Sequence, residues 1–188
     1  MNAPFLRLFV AVDPPGPVRR AVAAVCGDLP GARWTRAEQL HVTLRFLGSV
    51  EDSMLPRIGD ALREVVRPAF RLEARDFGVF PSFHAPRVLW TRLVPAAPLE
   101  EMHAAIESRL ASTGAAPPDD KRFSPHLTLA RLERIRGSEV RRWMADHEPF
   151  AAGPWTVETF FLYASTLTPS GAVHRKLETY PLGAAPPE

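Results

Sequence analysis

Cysteine is nearly missing from this chain. Cys26 stands alone, so no disulfide framework can form within it, and the apolar residues around it predict a buried, unreactive thiol of a reducing compartment. Lysine is almost as scarce: of 23 basic residues only Lys121 and Lys176 are lysine, the rest being arginine. No apolar run approaches the ~18 residues that a membrane span needs. The opening residues lack the basic, apolar and small-residue succession of a secretory signal, so a soluble cytoplasmic protein without a membrane partner is expected. A glycine-rich phosphate loop, paired cysteines, HExxH spacing and a nucleophile elbow are all missing, and the expectation is a site with no metal and no cofactor.

The formal net charge of +2 is too small to declare a nucleic-acid binder. The bias towards arginine has two readings, planar forks matched to phosphate oxygens or an arginine-rich genome. Only arginines placed by a motif therefore merit a role. With 188 residues and 46% hydrophobic content, the chain can bury a core as one domain or as two lobes that share it.

What the sequence does contain is a tetrapeptide written twice, His41-Val42-Thr43-Leu44 and His126-Leu127-Thr128-Leu129. Six His and ten Thr in a chain of this length predict only about 0.3 His-x-Thr matches by composition. Both copies alternate polar and apolar, the pattern of a half-buried strand, so imidazole and hydroxyl share one face and the aliphatic residues face the core. Either copy alone reads as a strand with one solvent-facing His. Two facing copies would line a cleft with two imidazoles and two hydroxyls, an acid–base apparatus with positioning groups beside it.

Read in order, residues 6–12 are strand-like and stop at Asp13-Pro14-Pro15. Apolar residues at helical spacing predict a helix over 17–29, followed by Arg33-Trp34-Thr35 and the first motif. An amphipathic helix is expected over 53–67, strands over 70–80 and 87–94, and a helix over 99–111. A loop over 114–121 leads to the second motif, then a helix over 138–147 and strands over 155–164 and 173–180. Pro169-Ser170-Gly171 reads as a turn, and the tail 184–188 as disordered. Each motif strand precedes a helix and a strand pair, so the duplication is architectural. The fold class is α+β, bilobal and duplicated, with two antiparallel sheets facing a central cleft and helices outside. The lobes interleave along the chain, so residues 1–183 are expected to form a single domain.

With these segments placed, the sequence resembles the 2H phosphoesterase superfamily, and within it the RNA 2′,3′-cyclic phosphodiesterases once called 2′-5′ RNA ligases. The resemblance covers nearly the whole chain. It rests on RLFVAV (7–12), Arg33-Trp34, HVTLRFLG (41–48), Phe80-Pro81, PRVLW (86–90), SPHLTLAR (124–131) and LYAS (162–165) with the Gly171 turn. It implies metal-free hydrolysis of a 2′,3′-cyclic phosphate on RNA or a nucleotide, leaving a 2′-phosphate. It also implies His126 as the water-activating base, His41 as the acid and Arg131 as a phosphate ligand. One departure is His174, where the family often has Tyr after the Gly turn.

The chemistry suits these residue types. Opening a cyclic phosphodiester needs a base for the attacking water and an acid for the departing ribose oxygen, and imidazole supplies either near neutral pH. Thr43 and Thr128 would hold the non-bridging oxygens and an Arg the charge developing on them. Strict alternation puts Arg131 on the face opposite His126, so it needs a bulge or the strand's end to reach the cleft. Arg45 has the right parity, although a solvated strand charge is the plainer reading. His84, His103, His147 and His174 read as surface residues, and Phe9, Trp34 and Phe46 as either base-stacking or core residues. The rival functions are RNA end joining, with a 5′-hydroxyl as the attacker, and a non-catalytic RNA- or nucleotide-binding module. A monomer is expected.

Overall fold

The computed structural model describes residues 5–115, 122–168 and 171–184. In chain order the elements are β1 (Phe5–Val12), α1 (Gly16–Ala24), β2 (Ala32–Trp34), β3 (Val42–Glu51), α2 (Leu55–Arg63), β4 (Phe70–Phe80) and β5 (Val88–Val94). There follow α3 (Ala97–Ala111), β6 (His126–Leu132), α4 (Gly137–His147), β7 (Ala151–Val157), β8 (Thr159–Thr168) and β9 (Gly171–Pro181). The strands form two antiparallel sheets, ordered β3-β1-β8-β9 and β2-β6-β5-β4-β7. Helices α2 and α3 lie on the first sheet and α1 against the second. On α4, Trp143 packs onto Trp34 and Phe77 of the second sheet.

The chain passes repeatedly between the sheets. Strand β1 belongs to the first and β2 to the second; β3 returns to the first, and β4 and β5 to the second. One contiguous apolar cluster accompanies these crossings, running from Leu8 and Val10 of the first sheet to Leu89 and Leu127 of the second. Alternation along β1 divides its side chains: Leu8, Val10 and Val12 enter that cluster, whereas Phe9 and Ala11 join Phe161 and Tyr163 on the opposite face. The motif strands β3 and β6 lie against one another where the sheets meet.

Several expected boundaries move, each for a local reason. The helix foreseen over 17–29 ends at Ala24, because Asp28 and Gly31 take positive φ in the turn that follows. The helix over 53–67 is shorter, with a 3-10 turn over Asp52–Met54 before it and an end at Arg63. The single strand over 155–164 is two strands in different sheets, β7 and β8, separated at Glu158. Trp155 and Val157 are buried alternately while every residue from Phe160 to Ala164 is buried, so the periodicity changes at the break. Cys26 is half-buried, its thiol donates to the Val22 carbonyl, and burial pushes its pKa up to about 11. Most of the loop over 114–121, Pro169-Ser170 of the turn, and 185–188 of the tail lie outside the described residues.

Candidate active site

The two motif histidines are held alike. His41 sits between a 3-10 turn (Ala37–Gln39) and the start of β3, and its Nδ1 lies 2.7 Å from the carbonyl of Gln39. His126 opens β6, and its Nδ1 lies 2.7 Å from the carbonyl of Ser124. In each copy the acceptor is the carbonyl two residues back. A carbonyl only accepts, so Nδ1 carries the proton and Nε2 is left as the working nitrogen of each ring. Burial lowers both pKa values, and the carbonyl bond opposes that in each. At His41, after burial and the Gln39 bond, the neighbouring His174 lowers the pKa further and Asp13 raises it.

Both motif strands then bulge at the same residue. In the β1–β3 ladder Val10 faces Arg45 and Ala11 faces Thr43, so Leu44 is the extra residue. In the β5–β6 ladder Leu89 faces Ala130 and Trp90 faces Thr128, so Leu129 is extra. A one-residue bulge reverses the parity of everything beyond it. Before the bulges Val42, Leu44, Leu127 and Leu129 are buried; after them Arg45, Leu47, Ala130 and Leu132 are. Arg131 thereby shares the face of His126 and Thr128. Arg45, which strict alternation put on the cleft face, turns inward instead: it is 7% exposed and ion-paired with Glu107 of α3, so neither a cleft position nor a solvated charge describes it. Its place on the cleft face is taken by Phe46, which is 54% exposed.

Aromatic rings surround each imidazole. Phe9 lies 5.0 Å from the His41 ring and 5.7 Å from Phe46, centroid to centroid. His174 of β9 meets His41 edge-on at 5.1 Å, so it is not the surface residue expected, and the departure from the family pattern lies beside His41. His41 and His174 border a cavity of about 350 Å³ lined also by Arg36, Gln39, Tyr163 and Val173. Beneath it the Tyr163 hydroxyl donates to Asp13, which also pairs with Arg19 and Lys176. Burial and then the Asp13 carboxylate hold the Tyr163 phenol above its ordinary pKa. Around His126 the rings are Phe80, edge-on at 5.0 Å, and Trp90, at 6.2 Å. Gly78 makes room for that indole, since a Cβ there would come within 2.3 Å of it.

The remaining candidates fall elsewhere. Trp34 packs on Trp143 on the helix side of the second sheet, which removes it as a stacking platform. His84 is exposed in the loop after β4, and His147 stacks on Trp143 with its Nδ1 at that residue's carbonyl. His103 is not a free surface residue, for its Nδ1 lies 2.8 Å from the Leu44 carbonyl. Among the described residues no three His, Cys, Asp or Glu side chains gather in a way that could hold a metal. The Asp13 network and the nearness of His174 to His41 had no sequence signal, because their members come from the turn after β1, from α1, β8 and β9, and from the residue ahead of β3.

The chain that carries these two bulged motif strands matches the family described as LigT-like phosphoesterase over residues 12–90 and 93–174. The chain belongs to the LigT-like phosphoesterases. Both motifs, Arg131 and His174 lie within the matched segments. An RNA 2′,3′-cyclic phosphodiesterase of Archaeoglobus fulgidus is 33% identical over 93% of this chain and 99% of its own. The enzyme of that name from Thermus thermophilus is 35% identical, over 94% and 90%. A Thermus thermophilus protein of known structure superposes with a TM-score of 0.80 at 28% identity, covering 95% of this chain and 99% of that one. Escherichia coli LigT has the same fold, at 24% identity and a TM-score of 0.76 over 95% and 98% of the two chains. This LigT-like phosphoesterase contains no helix among its described residues long and apolar enough to cross a membrane.

Proposed function

We propose that this phosphoesterase hydrolyses the 2′,3′-cyclic phosphate at the end of an RNA or oligonucleotide, with its own two imidazoles as acid and base and with no metal. The observation that carries the reading is the identical tethering of His41 and His126, each Nδ1 on the carbonyl two residues back and each Nε2 left to work. Water attacks phosphorus and gives its proton to Nε2 of His126. The bond from phosphorus to O3′ breaks, and Nε2 of His41 protonates the departing oxygen, leaving a 2′-phosphate and a 3′-hydroxyl. Thr43, Thr128 and Arg131 share the faces of the two imidazoles and would hold the non-bridging oxygens as their charge grows. Burial lowers the pKa of both imidazoles, and at His41 the lowering by burial and His174 outweighs the opposing pull of Asp13, so the division into acid and base rests on the family resemblance. The names of the curated relatives point to the same substrate.

Phosphorus NMR of a 2′,3′-cyclic nucleotide or dinucleotide with the purified protein tests the reading. The expected result is conversion of the cyclic phosphate to a 2′-phosphomonoester, unchanged by chelator. No turnover, or a product phosphorus resonance of a 2′-5′ diester when a 5′-hydroxyl oligonucleotide is supplied in place of the monoester, would overturn it.

A further inference from the structure

His103, on helix α3, plays no part in the reaction described above, yet it touches both halves of the site. The two bulges leave the same backbone problem. Each extra residue, Leu44 or Leu129, has no partner across its ladder, and a buried carbonyl without a donor is costly. In the second half the solution is a strand: β2 runs beside β6, and the Thr35 N–H donates to the Leu129 carbonyl at 2.7 Å. In the first half β3 is the outermost strand of its sheet, and among the described residues no strand lies beyond it. There α3 packs on β3, and His103 Nδ1, 2.8 Å from the Leu44 carbonyl, stands where a neighbouring strand's N–H would be. The carbonyl accepts, so Nδ1 is the donor.

The same ring is stacked flat on Phe123, centroids 4.3 Å apart and planes 5° from parallel. Phe123 immediately precedes Ser124, whose carbonyl accepts from His126 Nδ1. One imidazole therefore anchors the bulge next to Thr43 and His41 with its nitrogen, and the entry to His126 with its face. We infer that His103 is a positioning residue that fixes the two motif histidines relative to each other across the cleft. It touches no reacting atom. Its effect passes through Leu44 on one side and Phe123 on the other, and in-line displacement at a phosphorus held between two imidazoles can lose about 10²-fold for a misplacement of ~1 Å.

This inference rests on the two-histidine reading, and the test separates the two. His103→Phe keeps a ring to stack on Phe123 and removes the donor; His103→Gln keeps an N–H donor and removes the ring; Phe123→Leu removes the stacking partner and leaves the Leu44 bond. Steady-state rates on a 2′,3′-cyclic nucleotide are expected to show kcat of His103→Phe down about 10- to 100-fold with KM within about twofold, and partial recovery in His103→Gln. In the substrate-free proteins, proton–nitrogen NMR of the imidazoles should show His41 resonances displaced by His103→Phe and His126 resonances displaced by Phe123→Leu. A folded His103→Phe with wild-type kcat, or a loss confined to KM, overturns the positioning role. If the wild type turns over no cyclic phosphate, the functional reading fails alone, and the NMR still decides: unmoved His41 and His126 resonances in all three variants overturn the inference. Should His103→Phe not fold, Phe123→Leu and His103→Gln supply the same decision.

Discussion

The two halves of the cleft agree for four residues and then differ. His-x-Thr-Leu is common to both, as are the tether from Nδ1 to a backbone carbonyl and the bulge at the Leu. Beyond the bulge the first half has Arg45 inside and Phe46 outside; the second has Ala130 inside and Arg131 outside. Equivalent positions on the cleft face thus hold a ring in one half and a guanidinium in the other. The proton-transfer groups are duplicated, whereas the groups that would meet the rest of the substrate are not. A cyclic nucleotide is itself lopsided, with an anionic end and a flat aromatic end. The asymmetry of the cleft suits that ligand and would give it one orientation.

The comparison breaks first at its symmetric part. His41→Ala and His126→Ala are each expected to lower kcat by at least about 10²-fold. The double variant should fall well short of the product of the two losses, since the pair acts as a unit. Near wild-type kcat in either single variant ends the two-imidazole mechanism. Next in size is the cleft guanidinium. Arg131→Ala should lower kcat/KM by roughly 10- to 100-fold, and Arg131→Lys should recover only part, because a point charge does not replace a planar fork. Phe46→Ala should act in the other half and more weakly, raising KM about tenfold through lost stacking while kcat holds. A KM unchanged for nucleotides would leave Phe46 as a cover for Phe9 and nothing more.

The pH dependence sharpens the same contrast. Burial lowers the pKa of both imidazoles in the free protein, so both are largely neutral above about pH 6.5, whereas the mechanism needs one protonated. The kcat/KM profile, which reports the free enzyme, should therefore peak on the acid side of about 6.5. An anionic phosphate beside His41 favours imidazolium, so the kcat profile should peak at higher pH than that of kcat/KM. Coincident profiles centred above about pH 7 would contradict this. The smallest effect on turnover belongs to the inward-turned arginine. Arg45→Met should leave kcat within about twofold and cost roughly 2 kcal/mol of stability in denaturant unfolding. Its partner Glu107 is 25% exposed and keeps part of its hydration, which limits the loss.

The sequence revealed whatever depends on neighbours along the chain. Alternation at 41–44 and 126–129 exposed the strands, the repeat exposed the two halves, and the strand over 70–80 coincides with β4. What it hid depends on partners across the sheets. A bulge exists only relative to the strand opposite, so the parity of Arg45 could not be counted from the sequence, and the placement of Arg131 had to be left conditional on one. His174 reaches His41 through the pairing of β9 with β8 and of β8 with β1, neither of which has a local signature. The split of 155–164 into two strands is marked locally only by the adjacent polar pair Glu158-Thr159, where alternation gives way to a continuous apolar run, and the assignment of the two pieces to different sheets has no local mark at all.

That split has a mechanical consequence. A single residue, Glu158, joins the last strand of one sheet to the interior strand β8 of the other. Its carbonyl is gripped by the Leu182 N–H just past the end of β9. A joint that short, clamped by the segment after β9, ties the two sheets together at this corner, so the wall that carries His126 and the wall that carries His41 share a fixed point away from both motifs.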